Sequence, residues 1–165
     1  GAMSYRKRDC DLVEIIEEIN VSLQNKAMQQ GLSLEVKMPK HPMNAFADPE
    51  RLHQLFLNLF NNSINYTQSP GAIRVQLELR LEQGKASAVF MIEDSAPGVD
   101  PALHEKLFER LYRAESSRSR ETGGAGLGLS ICRNICEAHE GRIDIANSEL
   151  GGLKVSVYLP LQESA

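Results

Sequence analysis

Residues 73–92 read Ile73-Arg-Val-Gln-Leu-Glu-Leu-Arg-Leu81-Glu-Gln-Gly84-Lys-Ala86-Ser-Ala-Val-Phe-Met-Ile92. Apolar residues alternate strictly over 73–81, Gly84 supplies a tip, and the alternation resumes over 86–92, so the stretch predicts two antiparallel strands joined by a tight turn. A parallel doubly wound sheet needs a helix between successive strands, and this stretch has no room for one. Two further strands, 142–147 and 154–159, flank a turn at Gly151-Gly152. Upstream, Leu32, Leu34, Val36 and Met38 alternate with polar residues, a half-buried strand.

Three helices fit between these strands. Asp11 can cap one whose apolar positions Leu12, Ile15, Ile16, Ile19 and Leu23 recur at helical spacing, and Gly31 ends it. Asp48-Pro49 reads as N-cap and first residue of a second, running to about Tyr66 with Leu52, Leu55, Phe56 and Leu59 on its core face. A third runs from about Leu127 to His139 and stops at Gly141. A short helix over 101–107 and a polar, Ser-, Arg- and Gly-rich loop over 113–126 lie between the hairpin and the third helix. Helices alternating with antiparallel hairpins predict an α+β two-layer sandwich, with a mostly antiparallel mixed sheet of about five strands on three helices.

The 165 residues suffice for one domain with its own core. Hydrophobic residues at 42% and charged residues at 24% exclude collagenous and wholly disordered readings. A net charge of −4 gives no broad basic field, so a polyanion has to be taken in a local pocket and a nucleic-acid partner is not expected. Three cysteines without disulfide spacing suit a reducing compartment, and neither a membrane-length apolar run nor a signal-peptide pattern is present. Gly1-Ala2-Met3 reads as a cloning scar and residues up to 10 as the end of a linker, with the domain over 11–162 and a tail over 163–165.

The second helix carries Asn58, Asn61, Asn62 and Asn65, each costing on the order of 0.6 kcal/mol of helix propensity relative to alanine. At 100° per residue Arg51, Gln54, Asn58, Asn62 and Asn65 form one stripe turned away from the core face. Solvated faces are usually built of Glu, Lys and Arg, so a stripe of amides suggests oxygen ligands for a hard cation or donors to phosphate. The turn 93–99 follows a strand, with Asp94 as an acceptor and Gly98 allowing backbone close to a ligand; an Asx-turn explains it equally. Gly123-Gly124-Ala-Gly126-Leu127-Gly128-Leu129 opens the third helix, where free amides and the positive helix end favour an anion. Its glycines do not match a dinucleotide fingerprint, and no G-x-x-x-x-G-K-[ST] loop exists. Cys132, Cys136 and His139 share one helix face that is also apolar, which reads as core packing rather than a metal site.

In order, these segments resemble the catalytic ATP-binding domain of bacterial sensor histidine kinases, within the GHKL superfamily that includes type II topoisomerase and chaperone ATPases. Residues 58–67, Asn-Leu-Phe-Asn-Asn-Ser-Ile-Asn-Tyr-Thr, look like its N box. Residues 94–99 resemble the first glycine box, Leu107-Phe-Glu-Arg110 the F box and 124–129 the second glycine box. The Asp-Ser-Ala-Pro-Gly wording is similar to that of an envelope-stress sensor kinase.

The resemblance implies a Bergerat-type sandwich holding ATP or ADP between the N-box helix and the loop after the short helix. It implies that Asp94 accepts from the adenine amino group, Tyr66 borders the base, and Asn62 ligates Mg²⁺. Asn58 would order the phosphates or the ion's waters, making Asn58 and Asn62 the catalytic pair. Gly98, Gly124, Gly126, Leu127, Gly128, Arg113 and Arg118 would complete the nucleotide site. Four departures stand out: Ala96 for a glycine, Asn65 for a cation, Leu111 for a phenylalanine, and Leu153 where a hydroxyl usually lies near the adenine carboxylate. None of His41, His53, His104 and His139 stands in a His-Glu/Asp-x-x-x-Pro context, so the phosphoacceptor is expected on a separate dimerisation domain. The resemblance further implies a response regulator as downstream partner and an intact kinase at the cytoplasmic face of the inner membrane, with this fragment soluble and monomeric. A nucleotide-sensing module without catalysis, or a related serine kinase or ATPase, are the alternatives.

Overall fold

The computed structural model describes residues 4–95, 102 and 125–161, with backbone alone for 125–128. Elements run β1 (Arg8–Asp11), α1 (Leu12–Gln29), β2 (Leu32–Lys37), β3 (Asn44–Ala47), α2 (Pro49–Tyr66), β4 (Gly71–Glu82), β5 (Lys85–Asp94), α3 (Ala125–Ala138), β6 (Arg142–Asn147) and β7 (Leu153–Pro160). Asp11 caps α1 as expected, its Oδ1 accepting from Val13 N–H at 2.9 Å, and the same oxygen takes Met43 N–H at 2.9 Å. Gly31 leaves α1 at φ +74°, in the left-handed region glycine favours. Asp48 and Pro49 open α2 where the sequence predicts. The third helix begins at Ala125, two residues earlier than the apolar periodicity suggests.

The main sheet has the order β2-β4-β5-β7-β6. β4, β5, β7 and β6 form an antiparallel run, while β2 lies parallel to β4, with Leu32 opposite Gly71. The predicted hairpin is present, and Gln83 (φ 53°) joins Gly84 (φ 77°) in a two-residue turn whose twist matches the strands. A second, two-stranded sheet pairs β1 with β3, which the sequence reading does not anticipate. Both strands are only four residues long, too short for alternation to speak.

The helices cover one face of the main sheet. Phe56 and Phe60 of α2 meet Phe90 of β5 at ring-centroid distances of 4.7 and 6.1 Å, surrounded by Leu12, Ile16 and Leu52. Truncating Phe90 to alanine should cost about 3–5 kcal/mol, read as a lowered urea midpoint with unchanged slope. On the opposite face Val89, Met91 and Glu93 of β5 are also buried, contrary to a half-exposed strand. Their cover is provided by long neighbours: Arg80 reaches Met91 Sδ at 3.8 Å, and Arg74 and Lys154 meet Glu93 at 3.2 and 3.7 Å.

Candidate functional site

Along β5 the core-facing residues run Ala88, Phe90, Ile92 and then Asp94, so a carboxylate occupies the place where the pattern calls for a hydrophobe. Asp94 is 9% exposed. Its Oδ1 accepts from Leu153 N–H at 3.2 Å, its carboxylate is hydrogen-bonded by the Ser63 hydroxyl, and its carbonyl accepts from Gly152 N–H at 3.0 Å. Burial pushes the Asp94 carboxyl up to about 6, Leu153 and Ser63 pull it down, and the charge of Glu93 adds to the rise. A carboxylate held by two donors among the described residues keeps lone pairs for a third, so Asp94 is built to accept one more hydrogen bond.

The β6–β7 turn is pressed against this residue. Gly151 lies at φ +111°, and a Cβ there would collide with the Ser95 carbonyl. Ser95 Oγ takes Ala72 N–H at 3.0 Å, fixing the end of β5 to the start of β4. The hydroxyl expected after the paired glycines is therefore supplied from another element. Leu153 contributes only its backbone N–H, and Ser63, next to Asn62 on α2, provides the O–H. Sequence reasoning passed over Ser63, although its place beside Asn62 on the core side of α2, a buried serine in an apolar row, was the available signal.

The amide stripe of α2 is divided. Arg51 Nη1 donates to Gln54 Oε1 at 3.1 Å and its Nε to the Ser4 carbonyl at 3.4 Å, so Arg51 is engaged within the stripe and by the N-terminal segment. Asn58 hydrogen-bonds the Cys132 thiol of α3, and burial drives that thiol far above its usual value. Asn61, off the stripe, accepts from Lys26 Nζ at 3.0 Å and ties α2 to α1. Among the described residues the buried side-chain nitrogen of Asn62 has no hydrogen-bond partner, and the buried Thr67 hydroxyl is in the same condition. Buried polar groups are nearly always satisfied, so two orphans at the C-terminal end of α2, one in its last turns and one at its C-cap, mark a place for polar atoms that the described residues do not supply.

Tyr66 is half-buried at the end of α2. Gly126, Leu127 and Gly128 fall in the first turn of α3, where backbone N–H groups lack intrahelical acceptors. Gly98, Gly124, Arg113 and Arg118, with Ala96, Leu111 and the F box, lie outside the described residues. The structure thus brings Asp94, Ser63 and Leu153 together and sets Asn58, Asn62 and Tyr66 on the helix that carries Ser63. Cys132, Cys136 and His139 are buried in the core, and both His139 ring nitrogens are already engaged. Among the described residues no cluster of His, Cys, Asp and Glu could hold a metal, and no helix is long and apolar enough to cross a membrane.

Residues 47–163, which include every site residue above, match the family of histidine kinase-, DNA gyrase B- and HSP90-like ATPases. The chain belongs to that ATPase family. It is 43% identical over 98% of its length to the signal transduction histidine-protein kinase BaeS of Escherichia coli K12, and 32% identical over 82% of its length to the sensor histidine kinase CpxA of the same organism. It spans about a third of these relatives, 34% and 28% respectively. The catalytic domain of the histidine kinase ThkA superposes with a TM-score of 0.77 at 27% identity, covering 96% of this chain and 97% of that one. The ATPase fold expected from the sequence, three helices on a five-stranded mixed sheet, is the one observed, extended by the β1–β3 pair.

Proposed function

We propose that this ATPase domain is the catalytic half of a two-component sensor histidine kinase, binding Mg-ATP and passing its γ-phosphate to a histidine on a separate dimerisation domain. The observation that carries the reading is Asp94, a buried acceptor at the end of an apolar stripe, with two donors fixed and one place open among the described residues. An exocyclic amine fits that place, and the carbonyl that guanine presents there does not.

In this reading Asp94 orients the base, Ser63 and Leu153 hold the carboxylate in position, and Tyr66 flanks the ring. Asn62 fits a hard cation: its side-chain nitrogen is buried with no partner among the described residues, and the amide turned over would present oxygen there. Mg²⁺, when bound, would neutralise and orient the triphosphate. Asn58, steadied by the Cys132 thiol, would order the phosphates, and the first turn of α3 would offer backbone donors to their oxygens. Phosphoryl transfer needs little covalent help from protein, so positioning and charge account for the chemistry. Gly98, Gly124, Arg113 and Arg118 remain proposed contributors from the sequence alone. The dimerisation helices, a response regulator and a place at the inner membrane belong to the same proposal and rest on the relatives' being sensor kinases.

The test uses the domain and a separately purified protein bearing the dimerisation helices. ATP and ADP should bind at least tenfold more tightly than GTP by calorimetry. The domain should acquire no acid-labile label from radioactive ATP, while the helices become labelled slowly in trans. Equal affinity for GTP would remove Asp94 from its role. Tight ATP binding with no label on the helices would favour a nucleotide-sensing module instead.

A further inference from the structure

Residues 4–7, ahead of β1, lie across the junction between the start of α2 and the end of α3. Arg6 N–H donates to Asp48 Oδ2 at 2.7 Å, and Arg51 Nε reaches the Ser4 carbonyl at 3.4 Å. The Arg51 guanidinium sits 5.9 Å from the Tyr5 ring centroid. Tyr5 in turn meets the His139 imidazole edge to face, with centroids 5.7 Å apart and planes at 85°.

His139 is 8% exposed and joins the two helices. Its Nδ1 donates to the Ile135 carbonyl at 2.8 Å, and its Nε2 accepts from Asp48 N–H at 3.1 Å. Only the neutral ring protonated at Nδ1 satisfies both bonds. A proton on Nε2 would set one donor against another and leave Asp48 N–H without an acceptor. The acceptor at hand is the Asp48 carboxylate. Its Oδ1 is spent on Glu50 and Arg51 N–H at 3.1 and 3.2 Å, capping α2, and its Oδ2 is held, among the described residues, by Arg6 N–H.

We propose that residues 4–7 form a strap latched to the domain by neutral His139, and that acid releases it by setting the imidazolium against Arg6 N–H in competition for Asp48 Oδ2. The latch stands independently of the proposed kinase reading. The charges acting on His139 are Lys7 from the strap and Asp48 from α2; Tyr5 of the strap, itself under the Arg51 guanidinium of α2, meets the ring, and Cys136 of α3 carries a thiol that burial pushes up to about 12 and so keeps neutral. Burial and Lys7 disfavour the imidazolium while Asp48 and the Ile135 carbonyl favour it, and burial prevails, holding His139 below the ordinary imidazole value. The strap therefore stays closed at neutral pH and opens only in acid. Its release would change the direction in which the chain before residue 4 leaves α2 and α3, the two helices that frame the candidate site.

The experiment follows backbone amide exchange and the His139 ring nitrogens by NMR between pH 7.5 and 5, in the parent, His139→Gln and Arg6→Pro. Corrected for intrinsic exchange, Arg6 protection should fall at least tenfold in the parent with the midpoint of His139, while amides of β4 and β5 keep theirs. His139→Gln should hold Arg6 protection at pH 5. Arg6→Pro removes the competing N–H and should raise the His139 midpoint by at least half a pH unit. Arg6 protection indifferent to the His139 titration, equal loss in His139→Gln, or an unmoved midpoint in Arg6→Pro would each overturn the latch. Should His139→Gln not fold, the Arg6→Pro midpoint decides alone.

Discussion

Asp94→Asn should weaken ATP binding by at least about 100-fold and, in the same protein, raise the melting temperature of the unliganded domain at pH 7.5. The first effect follows from turning a charged acceptor into an amide inside a buried site, where such a bond is worth about 1.5–3 kcal/mol. The second follows from the cost of ionising Asp94 in the fold. Its carboxyl titrates at about 6 against a usual 3.8, so keeping it charged costs about 3 kcal/mol by the equivalence of one pKa unit to about 1.4 kcal/mol. Because the folded value lies above the unfolded one, that cost is absent below about pH 4, grows through the window from 4 to 6 and is complete above it. Asparagine escapes it, since its oxygen can accept from Leu153 N–H while its nitrogen donates to the Ser63 hydroxyl. Calorimetric melts of parent and variant should therefore converge as pH falls toward 4, and ATP affinity of the parent should drop over the same range. A variant that is less stable than the parent at pH 7.5, or that binds ATP equally well, would refute the account.

Asn62→Ala should remove the effect of Mg²⁺ on ATP binding and leave the fold almost untouched. In the parent, chelation by EDTA is expected to weaken ATP binding at least tenfold; in the variant the two titrations should coincide. Unfolding midpoints should differ little, because the lost amide nitrogen has no hydrogen-bond partner among the described residues and its burial carries a penalty of its own. Asn58→Ala is the control, since it forfeits the bond to Cys132 and should lower stability. If Asn62→Ala kept the parent's response to Mg²⁺, the ion would have to be held elsewhere.

The sequence is legible wherever one residue does one local job. Asp11 and Asp48 cap helices, Gly31 turns left-handed, and alternation writes the β4–β5 hairpin, so these elements fall where expected. It is illegible where a residue answers to a distant partner. Asp11 also holds Met43 N–H, which gives β3 its entry, and nothing local to 44–47 announces that strand. The amide stripe on α2 reads as one surface, yet Asn58 serves α3 and the Asn62 nitrogen finds no partner among the described residues. Ser63 falls on the core side in any helical projection, and only the approach of β5 to α2 turns it into a clamp on Asp94. Burial on the outer face of β5 is hidden for the same reason, since its cover comes from arginine and lysine stems on neighbouring strands.

The parallel pairing of β2 with β4 bears on how the polypeptide is made. Register places Leu32 opposite Gly71, and among the described residues β2 has no other neighbour in the sheet. At about 5–20 residues per second, the ribosome delivers β4 some 2–8 s after β2. Until then a half-apolar strand trails in the nascent chain with nothing to pair with. The hairpin of β4 and β5, by contrast, can close within microseconds of emerging. The later-made strands therefore act as the template onto which the earlier ones are laid, so the order of assembly runs against the order of synthesis.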